Sequence, residues 1–158
     1  MIKIMKKIFV FTFILLTYSC SYKPIFLEKD YSFEIGIISL NGKNEINRVI
    51  KNKLSLIKTN SIKEKKIYDI FISSGSDINI ISKDSKGDPL KFELVISVRY
   101  EIKKNGKLLL SKDIEKSNIY NNISDKFELQ QNELIITENL SEKVADIIIS
   151  SIINLDDN

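Results

Sequence analysis

The sequence predicts an α+β domain: a mostly antiparallel four-stranded sheet with two helices packed on one face, in the order β-α-β-β-β-α. Three observations predict it. Apolar residues alternate from Leu90 to Ile102. Two stretches, from Ile46 to Ile57 and from Leu134 to Ile152, carry apolar residues at helical spacing. Turn chemistry at Asn41-Gly42, Lys83 to Pro89 and Asn105-Gly106 separates these segments.

The elements follow in chain order. Tyr31, Phe33, Ile35 and Ile37 alternate with Ser32, Glu34 and Gly36, which predicts a strand with one buried face that stops at Asn41-Gly42. Ile46, Val49, Ile50, Leu54 and Ile57 then define an amphipathic helix with Asn44 as its expected N-cap and an end near Thr59-Asn60. Lys63-Glu64-Lys65-Lys66 reads as solvated loop. Residues 67 to 82 predict one long strand with a bulge or break at Gly75. In the next strand, Leu90, Phe92, Leu94, Ile96, Val98, Tyr100 and Ile102 face inward, and of the alternate positions only Val95 is apolar.

The hairpin that follows fixes a register. A three-residue loop with Gly106 in the left-handed region would pair Ile102 with Leu108 and bury Leu110 and Ile114; a plain two-residue loop would turn Ser111, Asp113 and Glu115 inward. The three-residue loop is therefore expected. Lys112 faces inward in that register, which requires an edge strand. Asp125 and Glu128 open the last helix with a capping-box pattern, and Leu134, Thr137, Ser141, Val144, Ile148 and Ile152 form its stripe. Ile135, Ile136, Ile147, Ile149 and Ile153 widen its apolar surface, toward either a groove against the first helix or a partner.

The N-terminal region has a different character. Lys3, Lys6 and Lys7 precede an apolar run, Ile8 to Leu16, about half the length of the roughly 20 residues a spanning helix needs. That is the layout of an export signal. Thr17-Tyr18-Ser19 suits an ordinary signal peptidase poorly, whereas Leu16-Thr17-Tyr18-Ser19-Cys20 is similar to a bacterial lipobox, in which the cysteine thiol is acylated and becomes the new N-terminus. The expected organisation is a lipoprotein signal peptide at 1–19, a lipid-anchored tether at 20–29 that includes Pro24, and a single domain at 30–158, with Cys20 as the lipidation site carrying acyl chains such as palmitate.

Composition narrows the function. Of 24 basic residues three lie in the signal, and none of the 21 acids does, so the remainder is balanced and carries no excess basic charge for nucleic acid. The single cysteine leaves no disulfide, and the absence of histidine removes His-based metal sites and general bases. No phosphate-binding glycine loop is present, and Asp84 and Asp88 sit in a turn, where acids serve local hydrogen bonding. No enzyme activity, cofactor or metal is expected.

Several segments resemble one family in order. The lipobox and Cys20-Ser21-Tyr22-Lys23-Pro24-Ile25-Phe26 resemble the opening of the LPS-assembly lipoprotein family (LptE), with Ser21 where a glycine is usual. Val98-Arg99-Tyr100-Glu101-Ile102 looks like that family's central strand, and Ser117-Asn118-Ile119-Tyr120-Asn121, with Glu133, Ala145-Asp146 and Ile148 downstream, looks like its closing segment and helix. The resemblance implies a non-enzymatic lipoprotein on the periplasmic side of the outer membrane, anchored there by acyl chains. It also implies the partners: a large LptD-type β-barrel, which the lipoprotein plugs and helps to assemble as a translocon subunit, and lipopolysaccharide on its way to the cell surface. Lipopolysaccharide phosphates call for Arg or Lys, and Arg99 with Lys91 and Lys103 on one strand face is the candidate contact patch. The rival readings are an auxiliary lipoprotein of a phospholipid-type ABC transporter and a structural envelope lipoprotein.

Overall fold

A computed structural model describes residues 31–57 and 66–157. The expected signal peptide, the tether, Cys20 and the loop residues Lys63, Glu64 and Lys65 lie outside the described residues. The elements are β1 (Phe33–Gly42), α1 (Asn44–Ser55), β2 (Lys66–Lys83), β3 (Pro89–Lys104), β4 (Lys107–Asn121) and α2 (Lys126–Asp156). The four strands form one sheet in the order β1-β2-β3-β4. β2, β3 and β4 are an antiparallel meander, and β1 pairs with β2 in parallel. A parallel neighbour needs a crossover connection, and α1 lies within it. Both helices pack on one face, so the architecture is the α+β plan expected.

The core is the inward set of every strand against both helices. It contains Tyr68, Ile70 and Ile72 of β2, Leu94, Ile96, Val98, Tyr100 and Ile102 of β3, Ile46, Ile50 and Leu54 of α1, and Val144, Ile148 and Ile152 of α2. Burying such side chains contributes about 1.5–3 kcal/mol each against the entropy of ordering them. Tyr100 keeps its hydroxyl inside this core because Ser151 lies 2.7 Å from it, close enough to share a hydrogen bond. Ile149, at 2% exposure, and the half-buried Ile153 join the core, which settles part of the wide apolar surface of α2 as groove packing. Ile135 stays exposed, and so does Leu134, which the stripe had placed inside.

Four local expectations are corrected. The inward phase of β1 does not run through to Ile37, which is 64% exposed; a bulge between Ile35 and Ile38 shifts the phase and turns Ile38 and Leu40 toward the core. The N–H of Ile37, freed by the bulge, donates to Asp69 Oδ1 at 2.9 Å. The N-cap of α1 is Lys43 rather than Asn44, with no side-chain cap bond, and the helix stops at Ser55. β2 passes Gly75 without a break, pairing it with Ser97, and its irregularity lies instead between Ile80 and Ser82 and between Ser82 and Lys83.

The β3–β4 turn is the fourth. It is a two-residue loop: Asn105 (φ 51) and Gly106 (φ 77) both adopt left-handed backbone, and Lys104 pairs with Lys107. That double positive φ is the type I′ geometry matching the twist of the flanking strands. The burial of Leu110 and Ile114 that argued for the longer loop is achieved by other means. Lys103 pairs with Leu108 and Ile102 with Leu110, so Leu109 is an extra residue that shifts the phase. Lys112 then faces the core side opposite Tyr100, yet stays exposed because β4 is an edge strand.

Candidate interaction surfaces

With both helices on one side, no described element covers the opposite face of the sheet. On β3 it carries Lys91, Glu93, Val95, Ser97, Arg99, Glu101 and Lys103, the alternate set to the core residues, so the three predicted cations do share a strand face. The structure does not gather them. At about 3.3 Å per residue, Lys91 lies about 26 Å from Arg99, and Lys103 about 13 Å beyond it.

Their surroundings differ. Arg99 stands directly across from Asp113 and grips it with two hydrogen bonds, Nε to Oδ1 at 2.7 Å and Nη2 to Oδ2 at 3.2 Å. Hydrogen bonding to Asp113 raises the guanidinium's pKa further above its ordinary value. Lys103 lies 3.0 Å from Glu101 Oε2 and 4.2 Å from the centre of the Phe71 ring, so it has both an anionic and a π partner. Lys91 is exposed, in register with Asn121 on β4. Alternation on β3 could reveal the shared face but not Asp113, which reaches Arg99 only once the β4 register is known.

Two clusters not anticipated from sequence fix the helices to the sheet. At the end of α1's approach, Asn47 Nδ2 donates to Asn41 O at 3.0 Å and Ser74 Oγ donates to Asn47 Oδ1 at 2.8 Å. Gly42, with φ 96°, passes so close to Ser74 that a Cβ would lie 1.9 Å from its carbonyl oxygen, so only glycine fits. At the other end of the sheet, Asp156 of α2 takes hydrogen bonds from Ser32 and Tyr68 and an ion pair from Lys66 at 3.1 Å. A third contact ties β4 to α2: Tyr120 Oη donates to Glu133 at 2.6 Å, and burial followed by this bond raises the phenol's pKa well above its ordinary value.

The concave features are shallow. One groove of about 270 Å³ runs between the helices past Val49, Leu56, Glu138 and Glu142. Among the described residues no group of three His, Cys, Asp or Glu side chains is placed to hold a metal ion, and no helix is long and apolar enough to cross a membrane.

This arrangement of sheet, crossover helix and long closing helix is the fold of a set of small bacterial lipoproteins. The particular matches include rare lipoprotein B from Shewanella oneidensis, with TM-score 0.58 and 16% identity over 74% of this chain and 93% of that one. An uncharacterized lipoprotein B from Nitrosomonas europaea matches with TM-score 0.59 and 14% identity over 84% and 92%. A minor lipoprotein from Acinetobacter baumannii matches with TM-score 0.52 and 14% identity over 75% and 94%. No family model and no curated protein sequence matches the chain.

Proposed function

We propose that this chain is a non-enzymatic lipoprotein of the outer membrane, held on its periplasmic side by acyl chains on Cys20. In this role it plugs and helps to assemble an LptD-type β-barrel through which lipopolysaccharide reaches the surface. The observation that carries this reading is the fold shared with rare lipoprotein B and the lipoprotein from Nitrosomonas europaea over more than nine-tenths of their lengths. Here that fold follows a lipobox-like Leu16 to Cys20 segment. Physical chemistry supports the assignment at two points. A single acyl chain holds a protein on a bilayer only marginally, whereas the several chains of a bacterial lipoprotein anchor it firmly. The wide lumen of an outer-membrane barrel is polar, and the open sheet face, with its interleaved Arg99, Asp113, Glu101 and Lys103, offers mixed-charge surface to such a lining.

The test is to purify the intact lipoprotein from its own envelope under mild detergent. Mass spectrometry is expected to show acylation at Cys20, and a large outer-membrane β-barrel is expected to co-purify in stoichiometric amount. Recovery with an inner-membrane ABC transporter instead would favour the rival auxiliary role, and an unmodified thiol would remove the anchor altogether.

Within this reading Lys91, Arg99 and Lys103 are the contacts for lipopolysaccharide phosphate. The Arg99–Asp113 pair is exposed on both sides, and solvent screens such surface pairs strongly, so a phosphate can replace the carboxylate at little cost. Exchanging Lys91 and Arg99 together for Ser is expected to weaken lipopolysaccharide binding several-fold, about the effect of losing two charge-assisted contacts. Unchanged affinity of the double variant in a direct binding assay rejects the patch.

A further inference from the structure

The chain leaves β1 at Gly42 and turns through Lys43 directly into α1, so the first turns of the helix stand over the end of the strand. Between them lies a depression of about 520 Å³. Its lining is almost wholly polar: Asn41, Asn44, Asn47 and Asn52, with Arg48 and Lys51. Leu40 is the only apolar side chain there, and no acid lines it. Asn44, Arg48, Lys51 and Asn52 fall at i, i+4, i+7 and i+8, one stripe of α1. Asn47, at 5% exposure, braces the floor, donating to Asn41 O and accepting from Ser74. Asn41 is held in turn: its Oδ1 accepts from the N–H of Gly42 at 2.9 Å, which leaves its amide hydrogens for an outside acceptor. The charges are as one-sided as the lining. Lys53 on the same helix pairs with Asp146 at 2.9 Å, whereas Arg48 and Lys51, one turn apart, have no carboxylate partner among the described residues. Like charges at that spacing repel, and an anion between them removes the repulsion.

We propose that this depression binds an acidic sugar. A carboxylate or phosphate group takes the flat, two-pronged guanidinium of Arg48 and the ammonium of Lys51. The asparagine amides, each with two donors and an acceptor, suit the neighbouring hydroxyls of a sugar ring. Other ligand classes fit the lining poorly. One leucine offers too little apolar surface for an acyl chain, and without an acid nothing holds a cation. No aromatic ring lines the depression for a sugar face to stack on, so the charge-assisted contacts carry the binding and the acidic group is essential. The site is complete within this domain and does not require the barrel partner.

The test titrates the intact, isotope-labelled chain in detergent and follows the side-chain amide signals of its asparagines by nuclear magnetic resonance. Galacturonate and glucose-6-phosphate present a hexose with a carboxylate and with a phosphate. At least one is expected to shift the signals of Asn44 and Asn52 at about millimolar concentration, and the tighter of the two identifies the acidic group. Galactose is expected to leave them unmoved. Arg48→Gln and Lys51→Gln are each expected to weaken binding about fivefold, and Lys86→Gln, in the turn between β2 and β3, to leave it unchanged. All three positions are exposed, and circular dichroism verifies that each variant folds. The proposal is overturned if neither acidic sugar shifts these signals or if galactose shifts them equally. Acetate or inorganic phosphate binding as tightly as the sugars overturns it too, and so does binding that neither cation exchange weakens.

Discussion

Asp156 shows how one side chain ties distant parts of the chain together. It accepts a hydrogen bond from Ser32, pairs with Lys66 and lies 3.4 Å from the hydroxyl of Tyr68, residues about 90 to 124 positions away in sequence. Burial opposes ionisation of this carboxyl, but the bonds from Ser32 and Lys66 outweigh it and hold its pKa below the ordinary carboxylate value. A depressed folded pKa means that the unfolded chain takes up the proton first, so the stabilisation is complete above the ordinary value of about 4 and is lost as pH falls through the lower, folded one. Lys66 has the opposite sign: its bond to Asp156 raises its pKa, so its contribution holds through neutral pH and disappears only in strong alkali. Asp156→Asn is expected to lower the urea midpoint at pH 7 and to converge on the wild type as pH drops toward 3, which a series of denaturation curves would reveal. None of this was legible beforehand. Lys66 closes a run of charged residues that looks like solvated loop, and its anion lies at the far end of the chain.

At the scale of elements, the start of α2 followed directly from its sequence. Asp125 accepts from the N–H groups of Phe127 and Glu128 at 2.8 and 3.1 Å, satisfying two donors that a helix N-terminus leaves without partners. Asp125→Ala is expected to cost about 1 kcal/mol, readable as a shift in the denaturation midpoint without change of slope. β3 was equally legible because it is central and buried on one face from Leu94 to Ile102, so its period of two was never interrupted; only its start departs, where Leu90 is 50% exposed. β1 and β4 were harder for a shared reason. Each contains an extra residue, near Ile37 in one and Leu109 in the other, and a bulge shifts the phase of every inward side chain beyond it. The support for the β1 bulge comes from Asp69 on a different strand, which no window of local sequence contains.

For the whole molecule, element order and sheet membership could be read in advance, while the partnership of Arg99 with Asp113 depended on a register that local sequence did not fix. The meander of β2, β3 and β4 is joined by short turns, whereas β1 reaches its place only through the crossover. β1 is also an edge strand, only 10 residues long, and six of those residues are exposed. Its amides are therefore expected to exchange at a lower opening free energy than those of β3, and native-state hydrogen exchange with site resolution would show it. The parallel pairing of β1 with β2 has a mechanical consequence as well. A pull applied to the N-terminal end of the chain along the axis of β1 is resisted by the β1–β2 ladder loaded lengthwise, so that many main-chain bonds share the force instead of parting one after another. The meander carries that load only after β1 has slid free.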